Sequence, residues 1–214
     1  MKWDYIRNPE EIERQSFLKI KTLCSLDNLS REDAQLAMRL VHTAGDPSVL
    51  DDLFYTKSAV QTGLQALANQ APILCDVEMV RHGISKRFIR NLSYCYLNQD
   101  DTVALAKQQG ISRSMAAVEH WRPRLSGAIV VIGNAPTALF RLLELLDAGA
   151  LPPALIIGMP VGFIGAAESK QALIEYQHKH PTFEIITLHG RRGGSAYAAA
   201  ALNAIGRMHQ GTYL

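Results

Sequence analysis

Arg39 and His42 stand three residues apart in the run Arg39-Leu40-Val41-His42-Thr43-Ala44-Gly45-Asp46, so on a helix a guanidinium and an imidazole share one side. At about 100° per residue, Ala34, Leu36, Ala37, Leu40, Val41 and Ala44 form one apolar arc, with Arg39 and His42 together beyond its edge. Two readings stay open for His42. It is an ordinary exposed histidine, or a general acid whose imidazolium is held protonated near neutral pH by the carbonyl dipoles of the last helical turn.

Three glycine-bearing turns form a second set of candidates. In Gly133-Asn134-Ala135-Pro136-Thr137, proline suits a first helical position; Asn134 either caps that helix or leaves free amides that hold a carboxylate. Gly158-Met159-Pro160-Val161-Gly162-Phe163-Ile164-Gly165 lets backbone approach a ligand closely, at Gly162 and Gly165 above all. Gly190-Arg191-Arg192-Gly193-Gly194-Ser195 puts two guanidinium groups before a helix capped by Ser195; Arg191 and Arg192 are either solvated or anion-gripping. Three such turns at one sheet edge predict a broad, shallow mouth for a large polyanion rather than a slot for one phosphate.

Competing chemistries find little support. Neither Gly-x-Gly-x-x-Gly nor the Gly-x-x-x-x-Gly-Lys-Ser/Thr phosphate cradle occurs, and the histidines offer no His-Glu-x-x-His zinc pattern. There is no Gly-x-Ser-x-Gly nucleophile elbow. Asp51-Asp52 and Asp100-Asp101 read as helix starts or turns. Cys24, Cys75 and Cys95 are far apart and read as reduced structural thiols.

The elements that must position these residues follow from the apolar pattern. Helices are expected from about Glu10 to Cys24, from Ser30 to Gly45 with a capping-box-like Ser30 and Asp33, and between Thr56 and Gln70. Pro72 to Cys75 reads as a short buried strand and Leu92 to Leu97 as a weaker one. Ala128–Ile132, Ala154–Ile157 and Phe183–Leu188 are continuous apolar or β-branched strands, each leading through glycines into an Ala/Leu-rich helix. The pattern predicts a three-layer α/β/α fold with a mainly parallel sheet, and ligands in such sheets bind outside the carboxyl ends of the strands.

Bulk properties agree with one globular domain spanning residues 1–214, since 48% of residues are hydrophobic and 20% charged, with no repeat or linker dividing the chain. A formal charge of +2, from 22 basic against 20 acidic residues, implies neither nucleic acid nor an anionic membrane as partner. Met1-Lys2-Trp3-Asp4-Tyr5 is too polar for a signal peptide, and a cytoplasmic location is expected.

At this point the motifs resemble those of the precorrin-8X methylmutases, or precorrin isomerases. The likeness runs through Tyr5-Ile6-Arg7, Ile12-Glu13-Arg14-Gln15-Ser16-Phe17, Arg39-Leu40-Val41-His42, the stretch from Ile73 to Val80, Ile132 to Leu139, Gly158 to Lys170, and Gly190 to Ser195. Most specific are Asn-Ala-Pro-Thr-Ala-Leu and Pro-Val-Gly-Phe-Ile-Gly-Ala-Ala-Glu-Ser-Lys. The resemblance implies a flavodoxin-like fold, commonly a homodimer, acting without a cofactor or metal on a polycarboxylate tetrapyrrole, precorrin-8X or its cobalt form. It implies a methyl shift from ring carbon 11 to ring carbon 12 that gives hydrogenobyrinate or cobyrinate. His42 would then be the proton donor and acceptor, Ser16 and Arg39 substrate contacts, and Arg113 and Ser85 further contacts. Asn134, Thr137, Gly162, Gly165, Arg191 and Arg192 complete the expected substrate-binding set.

Two other functions compete with this one. A non-catalytic tetrapyrrole carrier would want the same anion mouth but be indifferent to loss of His42. A nucleotide-dependent transferase on the same fold is disfavoured by the missing phosphate motifs.

Overall fold

A computed structural model describes residues 3–213; Met1 and Lys2, part of the amino-terminal reading above, lie outside the described residues. Asn8 opens helix α1 (Pro9–Leu23) by accepting from the amides of Glu10 and Glu11. Ser30 opens α2 (Arg31–Ala44) by accepting from the Asp33 amide, and Gly45 ends it in a left-handed conformation, as the capping pattern predicts. There follow α3 (Val49–Asp52), β1 (Leu53–Tyr55), α4 (Ala59–Ala68), β2 (Ile73–Cys75), α5 (Glu78–Gly83), β3 (Ser93–Cys95), α6 (Asp100–Gln109), α7 (Arg113–Ala117), a 3-10 turn (Val118–Trp121) and α8 (Arg122–Leu125). The remainder is β4 (Ile129–Ile132), α9 (Pro136–Asp147), β5 (Leu155–Gly158), α10 (Ala166–Lys179), β6 (Glu184–Leu188) and α11 (Ser195–His209).

The strands form one sheet in the order β1-β6-β5-β4-β2-β3, parallel except for β1, which pairs antiparallel to β6. Its central strands read as unbroken apolar runs because both faces are covered. Ile129, Val131, Leu155, Ile157, Ile186 and Leu188 join the core on one face, while Val130, Ile132, Ile156 and Ile185 join the core on the other. The second face carries α7, α8, α9 and α10 around buried Trp121, Leu139 and Leu173. The first carries α4, α5 and α11, with α2 packed on α11 and α1 packed on α2.

Burial of Leu36, Leu40 and Val41 fixes the rotation of α2, because each such side chain contributes about 1.5–3 kcal/mol when fully removed from water. That rotation decides where Arg39 and His42 face. The expected arc is thus observed at Leu36, Ala37, Leu40 and Val41 and widened by buried Gln35 and Met38.

The sequence reading missed β1. It also began the third helix too early: Thr56 continues the ladder instead, exchanging its amide with Ile185 O at 3.0 Å and its hydroxyl with Ile185 N at 2.9 Å. A three-residue edge strand between two helices is too short for periodicity to register. Leu92 to Leu97 shrinks to Ser93–Cys95.

Candidate functional site: an arginine-lined groove beside His42

The carboxyl ends of β2, β4, β5 and β6 lie at one sheet edge, and the strand order reverses between β2 and β4, where an open α/β sheet usually takes its ligand. Here that crevice is filled from within. Asp76, following β2 and wholly buried, accepts from the amides of Gly133 at 3.0 Å, Asn134 at 2.9 Å and Ala135 at 2.8 Å. Burial pushes its carboxyl up, and the three amide donors oppose that. The expectation of free amides at the first turn is therefore corrected: they hold a carboxylate, but the protein's own. Nor does Asn134 cap α9, whose cap position is Ala135 with no side-chain bond.

The third turn is equally committed. Arg192 reaches Asp46 at 3.3 Å, Ser48 Oγ at 3.0 Å and Asp52 at 3.4 Å, which ties this turn to the end of α2 and to α3. Lys170, buried in α10, donates to the Arg192 carbonyl at 2.5 Å, and burial pushes its ammonium down to about 8 against the opposing charge of Asp52. A side chain at Gly193 would sit 2.4 Å from Met159 O, so only glycine lets the second and third turns meet. Arg192 is thus a tether here. Ser195 is also corrected: the cap of α11 is Gly194, and Ser195 is the first helical residue.

Arg191 is exposed, its guanidinium 5.2 Å above the Phe163 ring. Gly162 donates to Arg191 O at 3.4 Å, and Gly165 occupies the cap of α10. Thr137 pairs with Ser112 at 2.7 Å and Arg113 with Asn98 Oδ1 at 3.2 Å. Both belong to helices of the layer across the sheet from α2.

The residues the fold does bring together lie on α1, α2, α11 and the loop after α5. Ser16 Oγ is 2.8 Å from His42 Nδ1, and the exposed imidazole stacks on Phe17 with centroids 5.0 Å apart. One turn away, Arg39 lies 4.8 Å over the same Phe17 ring and bonds Glu13 at 3.1 Å. Arg39, Thr43, Ser85, Phe88, Asn203 and Arg207 border a groove of about 310 Å³, floored by Ala196, Ala199 and Ala200 of α11. Asn203 holds its far wall, accepting from Ser85 N at 2.8 Å and donating to Gly83 O at 2.8 Å. Among the described residues no cluster of three or more His, Cys, Asp or Glu gathers that could hold a metal ion.

The electrostatics overturn one expectation. Desolvation, and then the charge of Arg39, hold His42 below the ordinary 6.5, the opposite direction to the raised value that the imidazolium reading requires. Burial works against ionisation of Glu13, yet the hydrogen bond from Arg39 and the charges of Arg207 and Arg39 hold its carboxyl below its usual value. Histidine NMR titration of the free protein is expected to place the His42 midpoint below 6.5. Glu13→Gln should lower it further and Arg207→Gln should raise it, because Glu13 favours the imidazolium and Arg207 opposes it. The opposite order would show that these charges do not act on the imidazole.

Three site residues escaped the sequence reading. Asp76 had a usable signal, an acid directly after a buried strand and a downstream helix start without a capping side chain. Glu13 and Arg207 had none, since 194 positions separate them. Burial pushes the Cys95 thiol up to about 11 and Cys75 well above its ordinary value.

Sheet, groove and imidazole together define the class, a mainly parallel α/β protein with an arginine-lined groove and a hydroxyl-supported histidine on the helix that supplies Arg39 to it. The precorrin-8X methylmutase family model matches residues 11–208. A precorrin-8X methylmutase of Pseudomonas aeruginosa is 49% identical over 204 residues, covering 94% of this chain and 97% of that one. A cobalt-precorrin-8 methylmutase of Methanothermobacter thermautotrophicus is 39% identical over 197 residues, 91% of each chain. A solved precorrin-8X methyl mutase from Thermus thermophilus superposes with a TM-score of 0.85 at 34% identity, covering 96% of this chain and 98% of that one. The chain belongs to the precorrin-8X methylmutase family, and it is an enzyme, an isomerase.

Proposed function

We propose that this enzyme works in cobalamin biosynthesis and moves a methyl group from ring carbon 11 to ring carbon 12 of precorrin-8X, or of its cobalt form, to give hydrogenobyrinate or cobyrinate. The observation that carries this is the Ser16–His42 pair one helical turn from Arg39, which itself borders the groove. With Nδ1 engaged by Ser16, proton exchange with the ring falls to Nε2. The reaction is an isomerisation, so a proton lent must be recovered: His42 protonates the conjugated ring, the methyl shifts to the adjacent carbon, and the imidazole takes a proton back as the π-system is restored.

An imidazole held below its ordinary value in the free protein gains proton affinity once substrate is bound, as donation to the ring requires. The ring's carboxylates offset the charge of Arg39 and Arg207, and that removes part of what depresses His42. The pH profiles follow in sign. If imidazolium is the acting form, kcat/KM falls as pH rises through the depressed value of the free enzyme, whereas kcat falls at a higher pH. Coincident limbs would remove the substrate's part in tuning His42. Ser85, Thr137, Arg113, Asn134, Gly162, Gly165, Arg191 and Arg192 remain proposed contacts, those already bonded within the protein acting by exchanging partners. The decisive assay follows the absorption spectrum of precorrin-8X, with and without cobalt, on addition of the enzyme; an unchanged spectrum in both arms overturns the reading.

A cytoplasmic homodimer is part of the same proposal. Among the described residues no helix is long and apolar enough to cross a membrane. On the second turn Phe163 is 86% and Ile164 91% exposed, an apolar tip that a partner subunit would cover. Sedimentation is expected to show a dimer, and the double substitution Phe163→Ser with Ile164→Ser a monomer; a wild-type monomer would remove the dimer.

A further inference from the structure

We propose that Arg207 and Arg39 form a two-guanidinium subsite for one carboxylate of the substrate, with Glu13 as an internal stand-in for that carboxylate until substrate arrives. The inference rests on the proposed function above and assigns Arg207 and Glu13 a part in substrate binding.

Both arginines are largely withdrawn from water, with side chains 13% and 15% exposed, although they share one carboxylate. Arg39 Nη2 lies 3.1 Å from Glu13 Oε1, and Arg207 reaches Oε1 and Oε2 at 3.3 Å each. Two cations against one anion leave a net positive charge in a partly desolvated place, which a protein keeps at a cost unless a further anion comes to it. Each guanidinium also holds a buried Nε without a hydrogen-bond partner. These unused donors favour turning the forks onto an arriving acceptor, since carboxylate and guanidinium pair best through two parallel bonds.

The surroundings keep the pair ready rather than locked. Arg39 lies 4.8 Å over Phe17 and Arg207 4.9 Å over Phe88, so aromatic faces hold the planes of both groups and leave their edges for hydrogen bonding. Both arginines border the same groove as Ser85 and Asn203. Arg207 closes the end of an alanine floor that begins at Ala196, about 16 Å away along α11 at the helical rise. A flat ring lying on that floor would carry its acidic fringe to Arg207 while staying beside Arg39 and His42. When it docks, Glu13 gives up part of its share of the two forks.

The test is absorbance titration with hydrogenobyrinate, together with KM and kcat for precorrin-8X and a thermal melt of each variant. Arg207→Gln is expected to weaken product binding about 10- to 100-fold and to raise KM, with kcat within a few-fold of wild type. Arg207→Lys should recover part of the affinity. Glu13→Gln should bind a few-fold tighter, because a competing carboxylate is gone; a purely structural cluster would make both Glu13→Gln and Arg207→Gln bind more weakly. Weaker binding by Glu13→Gln, or unchanged affinity in Arg207→Gln, overturns the subsite. Should Arg207→Gln not fold, Arg207→Lys and Glu13→Gln decide by the same signs. Failure of the wild type to bind hydrogenobyrinate or convert precorrin-8X instead overturns the proposed function.

Discussion

His42→Gln is expected to bind hydrogenobyrinate within a few-fold of wild type while converting precorrin-8X about 10²- to 10⁴-fold more slowly, the range that a positioned acid/base group supplies. Glutamine keeps a polar partner for Ser16, whose hydroxyl lies 2.8 Å from His42 Nδ1, and fills much of the space above Phe17. What it lacks is a group that titrates near neutral pH. Stopped-flow spectra separate the two effects, since binding and rearrangement perturb the chromophore at different times. A carrier protein would show no difference between wild type and variant, because it needs only the arginines. Equal single-turnover rates would therefore leave the tetrapyrrole-carrier reading standing and remove the acid/base role.

Asp76→Asn is expected to destabilise the fold by about 2–4 kcal/mol, without the residue touching substrate. The carboxylate serves three amides with two oxygens, Oδ1 toward buried Gly133 and Oδ2 toward Asn134 and buried Ala135. An asparagine offers one acceptor oxygen, so its NH₂ must face at least one of those N–H groups. A buried donor left unpaired costs about 1–3 kcal/mol, and here a donor opposes it directly. For a chain of this size that corresponds to a fall in Tm of about 5–15 °C. Thermal unfolding followed by circular dichroism measures it. An unchanged Tm would show that the first turn does not depend on the carboxylate, and would reopen its amides to a ligand.

Much of the framework was legible in the residues. The runs Ala128–Ile132, Ala154–Ile157 and Phe183–Leu188 are continuous apolar or β-branched stretches but for Glu184, the pattern of strands covered by helices on both sides, and the glycines between strand and helix mark each carboxyl end. The ends of α2 were equally plain, because Ser30 and Gly45 satisfy backbone groups that no neighbouring residue serves. Arg39 and His42 could be paired for the same reason: helical spacing is a local rule.

Where the turns' donors point was not legible. The sequence presents three glycine-rich turns with arginines and free amides, all candidates for an anion; the fold gives the first to Asp76 and ties the third to Asp46, Ser48 and Asp52. Those partners come from positions tens of residues away, and no periodicity encodes them.

Chain order by itself determined the central parallel strands, their covering layers, the caps of α2, and a histidine placed one turn from an arginine, since each follows from backbone hydrogen bonding and apolar spacing over a few residues. Tertiary structure decided which charges meet. It brought Glu13, Arg39 and Arg207 to one place beside His42, partly withdrew them from water, and so set the direction of the histidine's shift, which the sequence left open between two readings. The physical reason is range: hydrogen-bonded turns and side-chain periodicity are local, whereas desolvation and charge pairing depend on which distant elements pack together.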